Sequence, residues 1–169
     1  MKKSLLIIFA LGFLMNINAQ KNESGSYYPL TKGLSKTLTW YNSKYREIVK
    51  DTIIVNGKIY TEVSQLFPPK KEINIFLRKS NDSIFFLNQK TKSDRIFFGV
   101  SGKIGQKIGD GTIIKKNAKL RTPKGKLREL LVIEMNYSNE AKDTRYYKKG
   151  LGLVAVKNSK GLISYYVSD

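Results

Sequence analysis

Apolar residues recur at every second position along much of the chain, and turn residues interrupt them at short intervals. Ile53 and Val55 lead into Asn56-Gly57, and Ile59 and Val63 follow it. Such alternation puts one face of a strand in a core and the other in water. Asn-Gly accepts positive φ at both central positions of a type I′ turn, so this segment predicts a β-hairpin. A second hairpin is predicted downstream. Ile73, Ile75 and Leu77 alternate with Asn74, Phe76 and Arg78, Ser80-Asn81-Asp82 makes the turn, and residues 84–87 return. Pro68-Pro69 separates the two hairpins, because proline gives no N–H to a sheet ladder. Residues 95–100 predict another short strand. Thr122-Pro123-Lys124-Gly125 marks a turn between residues 118–121 and a longer strand over 126–137, on which Leu131, Ile133, Met135 and Tyr137 share one face. The last hairpin runs over 151–156, turns at Asn158-Ser159-Lys160-Gly161, and returns over 162–167.

Helical signal is sparse. Residues 127–135 are apolar enough for a helix, but the turn before them and the β-branched Val132 and Ile133 favour a strand. Residues 64–67 suit a single helical turn. Gly99, Gly102, Gly105, Gly109 and Gly111 predict a loop or a weakly paired, bulged ribbon over 99–111. No repeat and no internal linker divides the chain. The expected fold is therefore mainly β: a single-domain, curved antiparallel meander, half-barrel or barrel-like, with little helix.

The N-terminus changes where this domain is expected to work. Lys2 and Lys3 precede an apolar run over 5–15, and Asn16-Ile17-Asn18-Ala19 ends on a small residue. That is the order of a secretory signal peptide, residues 1–19, cut after Ala19. The run is shorter than the roughly 20 apolar residues that span a bilayer, so no transmembrane segment is expected in the mature chain. A flexible polar lead-in is expected over 20–26 and one β domain over 27–169. The chain has no cysteine, hence no disulfide and no lipid-bearing cysteine at the cleavage point. A periplasmic or extracellular bacterial protein held together by packing and sheet hydrogen bonds is expected.

Charge narrows the partners. The chain carries 31 Lys+Arg against 13 Asp+Glu, a net +18, of which only Lys2 and Lys3 lie in the leader. Such an imbalance favours polyanions, whether nucleic acid, phosphorylated headgroups or acidic glycans. It also suits a merely basic envelope protein. With no histidine and no cysteine, Ser-His and Cys-His nucleophile systems and zinc sites built on nitrogen or sulfur are excluded. Carboxylate pairs, Ser-Lys pairs and oxygen-only metal sites remain. Glu129 and Glu134 have odd spacing and fall on opposite faces of an extended strand, Asp51 and Asp143 stand alone, and Asp110 between Gly109 and Gly111 reads as turn chemistry. No carboxylate pair suited to glycoside hydrolysis emerges from spacing. No cofactor is expected.

The densest feature is a basic hairpin, with nine Lys/Arg and one acid, Asp110, between Lys103 and Arg128. If it is extended, Lys115, Lys119 and Arg121 share a face, as do Lys124, Lys126 and Arg128 on the return. Like charges facing one another on a sheet are destabilising by up to about 1 kcal/mol per pair. A face that tolerates them is either well solvated, blocking edge pairing, or meets an anion. These six residues are the candidate anion-binding set. The hairpin has no aromatics interleaved for base stacking, so phosphate or glycan contact fits better than nucleic acid. Tyrosines occur in adjacent pairs, Tyr27-Tyr28, Tyr146-Tyr147 and Tyr165-Tyr166, which put one ring on each face of a strand. Gly150 and Gly152 follow Tyr146-Tyr147-Lys148-Lys149 with a strand pattern after them rather than a helix. They therefore predict a bulge or close approach rather than a phosphate loop.

The start Tyr27-Tyr28-Pro29-Leu30-Thr31-Lys32-Gly33 ahead of Trp40, the Thr122–Gly125 turn, and the tail Tyr146-Tyr147-Lys148-Lys149-Gly150-Leu151-Gly152-Leu153-Val154 form a set. Together they resemble uncharacterised exported β-rich proteins typical of Bacteroidota. They match an aromatic-Pro-Leu-x-x-Gly opening and a Tyr-x-x-Gly-Val-Gly-Leu-Val-like tail. The resemblance implies a curved antiparallel sheet or half-barrel and brings no catalytic residues. The expected function is a non-catalytic module that binds an anionic or amphiphilic envelope ligand such as an acidic glycan or lipid phosphate. The alternatives are a carboxylate-dependent hydrolase and a carrier of an apolar ligand in the sheet hollow.

Overall fold

The computed structural model describes residues 23–81, 83–99, 102–137 and 141–167. The expected leader and its cleavage point lie outside the described residues. Among the described residues, twelve strands follow one another in two six-stranded antiparallel meanders. The first sheet is β1 (Ser35–Trp40), β2 (Ser43–Val55), β3 (Lys58–Phe67), β4 (Lys71–Ser80), β5 (Ser83–Asn88) and β6 (Ser93–Gly99). The second is β7 (Lys107–Ile108), β8 (Gly111–Thr122), β9 (Gly125–Asn136), β10 (Lys142–Lys148), β11 (Gly152–Asn158) and β12 (Gly161–Tyr165). In both sheets each strand pairs with its neighbours in sequence. The mainly-β, single-domain, curved meander expected from the pattern is what forms.

Local chemistry explains the turns. Asn56 and Gly57 sit at φ 50° and 71°, the left-handed pair that a type I′ turn needs, between Val55 and its partner Lys58. Pro68 and Pro69 occupy the turn between β3 and β4, so the two predicted hairpins continue into each other. Residues 64–67 are not helical. They extend β3 and pair with Asn74, Ile73, Glu72 and Lys71, because the ladder to β4 outweighs one isolated helical turn. Between β6 and β8, the strand among the described residues is Lys107–Ile108. Gly102 lets the backbone lie against Ile113, where a Cβ would come within 1.9 Å of Cδ1. Of the lead-in, Glu23–Gly25 forms a 3-10 turn, and Glu23 accepts from the Leu30 N–H and from Lys79 Nζ.

Alternation then decides what is inside. Val49, Val63, Leu77, Ile84 and Phe98 from the first sheet meet Ile113, Leu131, Ile133 and Tyr147 from the second in one buried cluster. Each such side chain contributes roughly 1.5–3 kcal/mol by leaving water. Tyr28 enters the same cluster, its ring 5.5 Å from Phe98 and 6.2 Å from Tyr147. The two sheets join along one seam. Leu38 bridges Tyr166, Tyr41 N donates to Ile163 O at 2.7 Å, and Val167 N donates to Thr37 O at 2.9 Å. At the opposite seam β6 and β7 are not paired among the described residues.

The tail glycines work as a backbone device. Gly150 and Gly152 have φ of 75° and 79°, and the pairing of β10 with β11 shifts register at Tyr146/Tyr147. Gly152 lies against Lys36, whose Nζ would be 3.0 Å from an added Cβ. No phosphate cradle forms there, since a strand follows.

Candidate functional site

The second sheet has a second apolar cluster on the face away from the core. Ala118, Leu130, Val132 and Val154 are buried there, with Tyr146 packed on them. Consecutive residues 130–133 of β9 are therefore all buried, two toward each face. The β8–β9 ribbon makes this possible by bending. Its register shifts between Ile113 and Lys115, between Lys115 and Ala118, and between Ala118 and Leu120. Asn117 and Glu129 take up the bend at φ of 53° and 58°.

A groove of about 730 Å³ runs across this outer face over four strands. Ile114, Lys115, Ala118 and Lys119 line it from β8, Val132 from β9, Lys142, Thr144 and Tyr146 from β10, and Lys157 and Asn158 from β11. Four lysines thus stand around a floor of Val132, Ala118 and the Tyr146 ring. Lys142 has Glu134 Oε1 at 3.6 Å, and Lys115, Lys119 and Lys157 have no ion pair among the described residues. Burial pushes the Tyr146 phenol pKa up, so the ring stays neutral. A concave site lined by one sign of charge concentrates counter-ions. An aromatic floor adds a flat surface on which a sugar ring can lie.

The structure splits the six candidate anion-binding residues. Lys115 and Lys119 line the groove. Arg121 lies directly opposite Lys126, both exposed, so the like-charge facing inferred from the sequence occurs at this pair. Lys124 is in the turn and Arg128 is exposed on β9, and neither lines the groove. Bulges end the simple alternation before Arg121, which is why the set does not form one face. Lys142, Lys157 and Tyr146 were not in the expected set. Of these only Tyr146 had a signal, as one member of a tyrosine pair whose other ring, Tyr147, is in the core. The two lysines join through sheet curvature, which has no local signature.

A carboxylate pair does converge elsewhere. On the first sheet Lys50 Nζ lies 3.3 Å from Glu62 Oε1 and 2.8 Å from Glu72 Oε1, and Ser64 Oγ lies 3.4 Å and 3.0 Å from the same two oxygens. The Lys50 ammonium, then the Ser64 hydroxyl, hold the Glu72 carboxyl below its ordinary value. A glycosidase acid needs the opposite shift, and Ser64 is wholly buried. The cluster has the character of a strand cross-link.

Fold and groove together define a class: a single-domain protein of two antiparallel meanders closed along one seam, with a basic groove on its outer face. Neither a protein-family model nor a curated protein matches the sequence. Two solved structures are similar to it in fold. One is a "putative lipoprotein" from Parabacteroides distasonis, with TM-score 0.54 and 13% identity over 85% of this chain and 96% of that one. The other is a "putative exported protein with YmcC-like fold" from Bacteroides fragilis, with TM-score 0.52 and 14% identity over 85% of this chain and 97% of that one. Both organisms are Bacteroidota, so the coarse resemblance read from the sequence is matched at the level of the fold.

Proposed function

We propose that the chain is exported and works in the bacterial envelope as a non-catalytic module that binds an acidic glycan in the outer-face groove. The observation that carries this is the ring of Lys115, Lys119, Lys142 and Lys157 around the Tyr146–Val132 floor. Cations on the walls take carboxylates or phosphates, and the tyrosine takes a sugar face. The groove is open and spans four strands, which suits a chain molecule better than a lipid headgroup. The leader sequence, and the names of the two similar folds as exported protein and lipoprotein, support a periplasmic or extracellular site of action.

The test is calorimetric titration with an oligogalacturonate, a maltooligosaccharide of equal length and phosphatidylglycerol vesicles. The acidic oligosaccharide binds and weakens by roughly tenfold from about 0.05 M to about 0.3 M salt. Lys119→Glu with Lys157→Glu abolishes binding, whereas Arg121→Glu with Lys126→Glu, outside the groove, changes it little. Equal binding of the neutral sugar, preference for vesicles, or a reversed ranking of the two double variants overturns the reading.

A further inference from the structure

The seam between β6 and β7 opens into a second cavity, on the other face of β9 from the groove. It measures about 330 Å³, within the range of roughly 300–1,000 Å³ typical of small-molecule sites. Ile75, Phe86 and Phe97 wall it from the first sheet, and Ile108, Ile133 and Met135 from the second. These walls continue the buried core out to the surface, so an apolar group entering here extends the core's own packing. Beside the entrance Ile96 is 54% exposed.

The polar groups decide what the occupant carries. Arg145 lines the cavity but is already matched: its Nε donates to Asp143 Oδ1 at 3.2 Å and one terminal nitrogen donates to the Tyr137 hydroxyl at 2.8 Å. Tyr137 in turn donates to Asp143 Oδ2 at 2.6 Å. An anion placed there would compete with Asp143. Arg95 also lines the cavity, is exposed, and has no ion pair among the described residues. Asp110 is on the same lining, beyond ion-pair distance of Arg95, and disfavours a head of more than one negative charge. We propose that this cavity binds an amphiphile with one apolar chain and a monoanionic head, the chain between the sheets and the head at Arg95. The site stands independently of the glycan groove, since Val132 faces one and its neighbour Ile133 the other.

Those adjacent residues make the test selective. The protein, labelled at Ile, Val and Met methyls, is titrated by NMR with decanoate, decanol and decyltrimethylammonium below their micelle concentrations. Shifts are expected at Ile75, Ile108, Ile133 and Met135, and not at Ile114 or Val132. Decanoate binds more tightly than decanol by roughly two- to fivefold, the range of an exposed ion pair, and the cation binds weakest. Arg95→Gln removes that preference and keeps chain binding. Met135→Trp, which takes up part of the cavity, weakens decanoate by about tenfold, and Phe86→Trp serves if that variant does not fold. No shifts with any decyl compound, shifts at Ile114 and Val132 instead, or decanol and decanoate binding equally to the unaltered protein would each overturn the proposal.

Discussion

Lys36 carries its charge almost wholly out of water. Its Nζ lies 2.8 Å from Glu47 Oε1, with the two side chains 5% and 8% exposed, and it also donates to Leu151 O at 2.7 Å. Glu47 Oε2 accepts from Gln65 Nε2 at 3.0 Å. A buried pair of this kind contributes little relative to apolar residues of the same shape, yet removing one partner strands the other at a cost of about 3–5 kcal/mol. Lys36→Met should therefore lower the urea unfolding free energy by about that amount, and adding Glu47→Leu should recover most of the loss. A double variant no better than the single one would show that the pair is needed as a pair. None of this was legible in Ser35-Lys36-Thr37-Leu38, where nothing marks the lysine as buried. The sequence did offer a bulge or a close approach at Gly150 and Gly152. That the approaching group is a lysine ammonium from β1, over a hundred residues away, depends on how the two sheets close.

Strands are tied to one another by a few polar groups whose effect is on pairs of elements. Asp94 on β6 accepts from Tyr60 on β3 at 2.7 Å, from Arg78 on β4 at 2.7 Å and from Lys58 at 2.9 Å. Burial opposes its ionisation, but the bonds from Tyr60, Lys58 and Arg78 outweigh it and hold the carboxyl well below the usual range. A depressed carboxylate stabilises the fold above its unfolded value, near 3.9, and that stabilisation is lost as pH falls from there toward the folded value. Asp94→Asn should thus lose stability at neutral pH and show a flatter acid limb between about pH 4 and pH 2 in thermal melts. Parallel limbs would remove Asp94 from the account. On the β8–β9 ribbon the facing pair Arg121 and Lys126 sets like charges together. Lys126→Glu should raise the unfolding free energy by roughly 0.5–1 kcal/mol, read as a higher urea midpoint with an unchanged slope. The turns that bound these strands were readable because Asn-Gly and Pro-Lys-Gly demand particular backbone angles. The bend was not, since Glu129 at φ 58° carries no residue-level cue. That bend is what separates Lys115 and Lys119 from Arg121, and so what made the candidate site only half legible.

The two meanders behave as one molecule because their outer edges meet at β1 and β12, while β6 and β7 do not pair among the described residues. Within each sheet every strand ladder is with a sequence neighbour, so the pattern of hairpins was enough to give the class of fold. Which edges join is a non-local matter that depends on how the two sheets twist, and alternation is silent on it. Closure of the β1–β12 seam brings together segments about 126 residues apart, as at Thr39 and Tyr165. Here Thr39 Oγ1 accepts from Tyr165 N at 2.9 Å. Thr39→Val keeps the shape and leaves that N–H without its partner, at a cost of about 1–3 kcal/mol. The asymmetry of the seams also sets their opening. Amides of Tyr41 and Val167, bonded across the closed seam, should exchange with deuterium near the global unfolding rate. Those of Lys107 and Ile108, on a two-residue strand with one neighbour, should exchange orders of magnitude faster. In Thr39→Val the closed seam should move toward the open one while the open seam stays as it was. Equal protection at both seams in the unaltered protein would mean that the molecule is a closed barrel in solution. The cavity beside Arg95 would then have no permanent mouth.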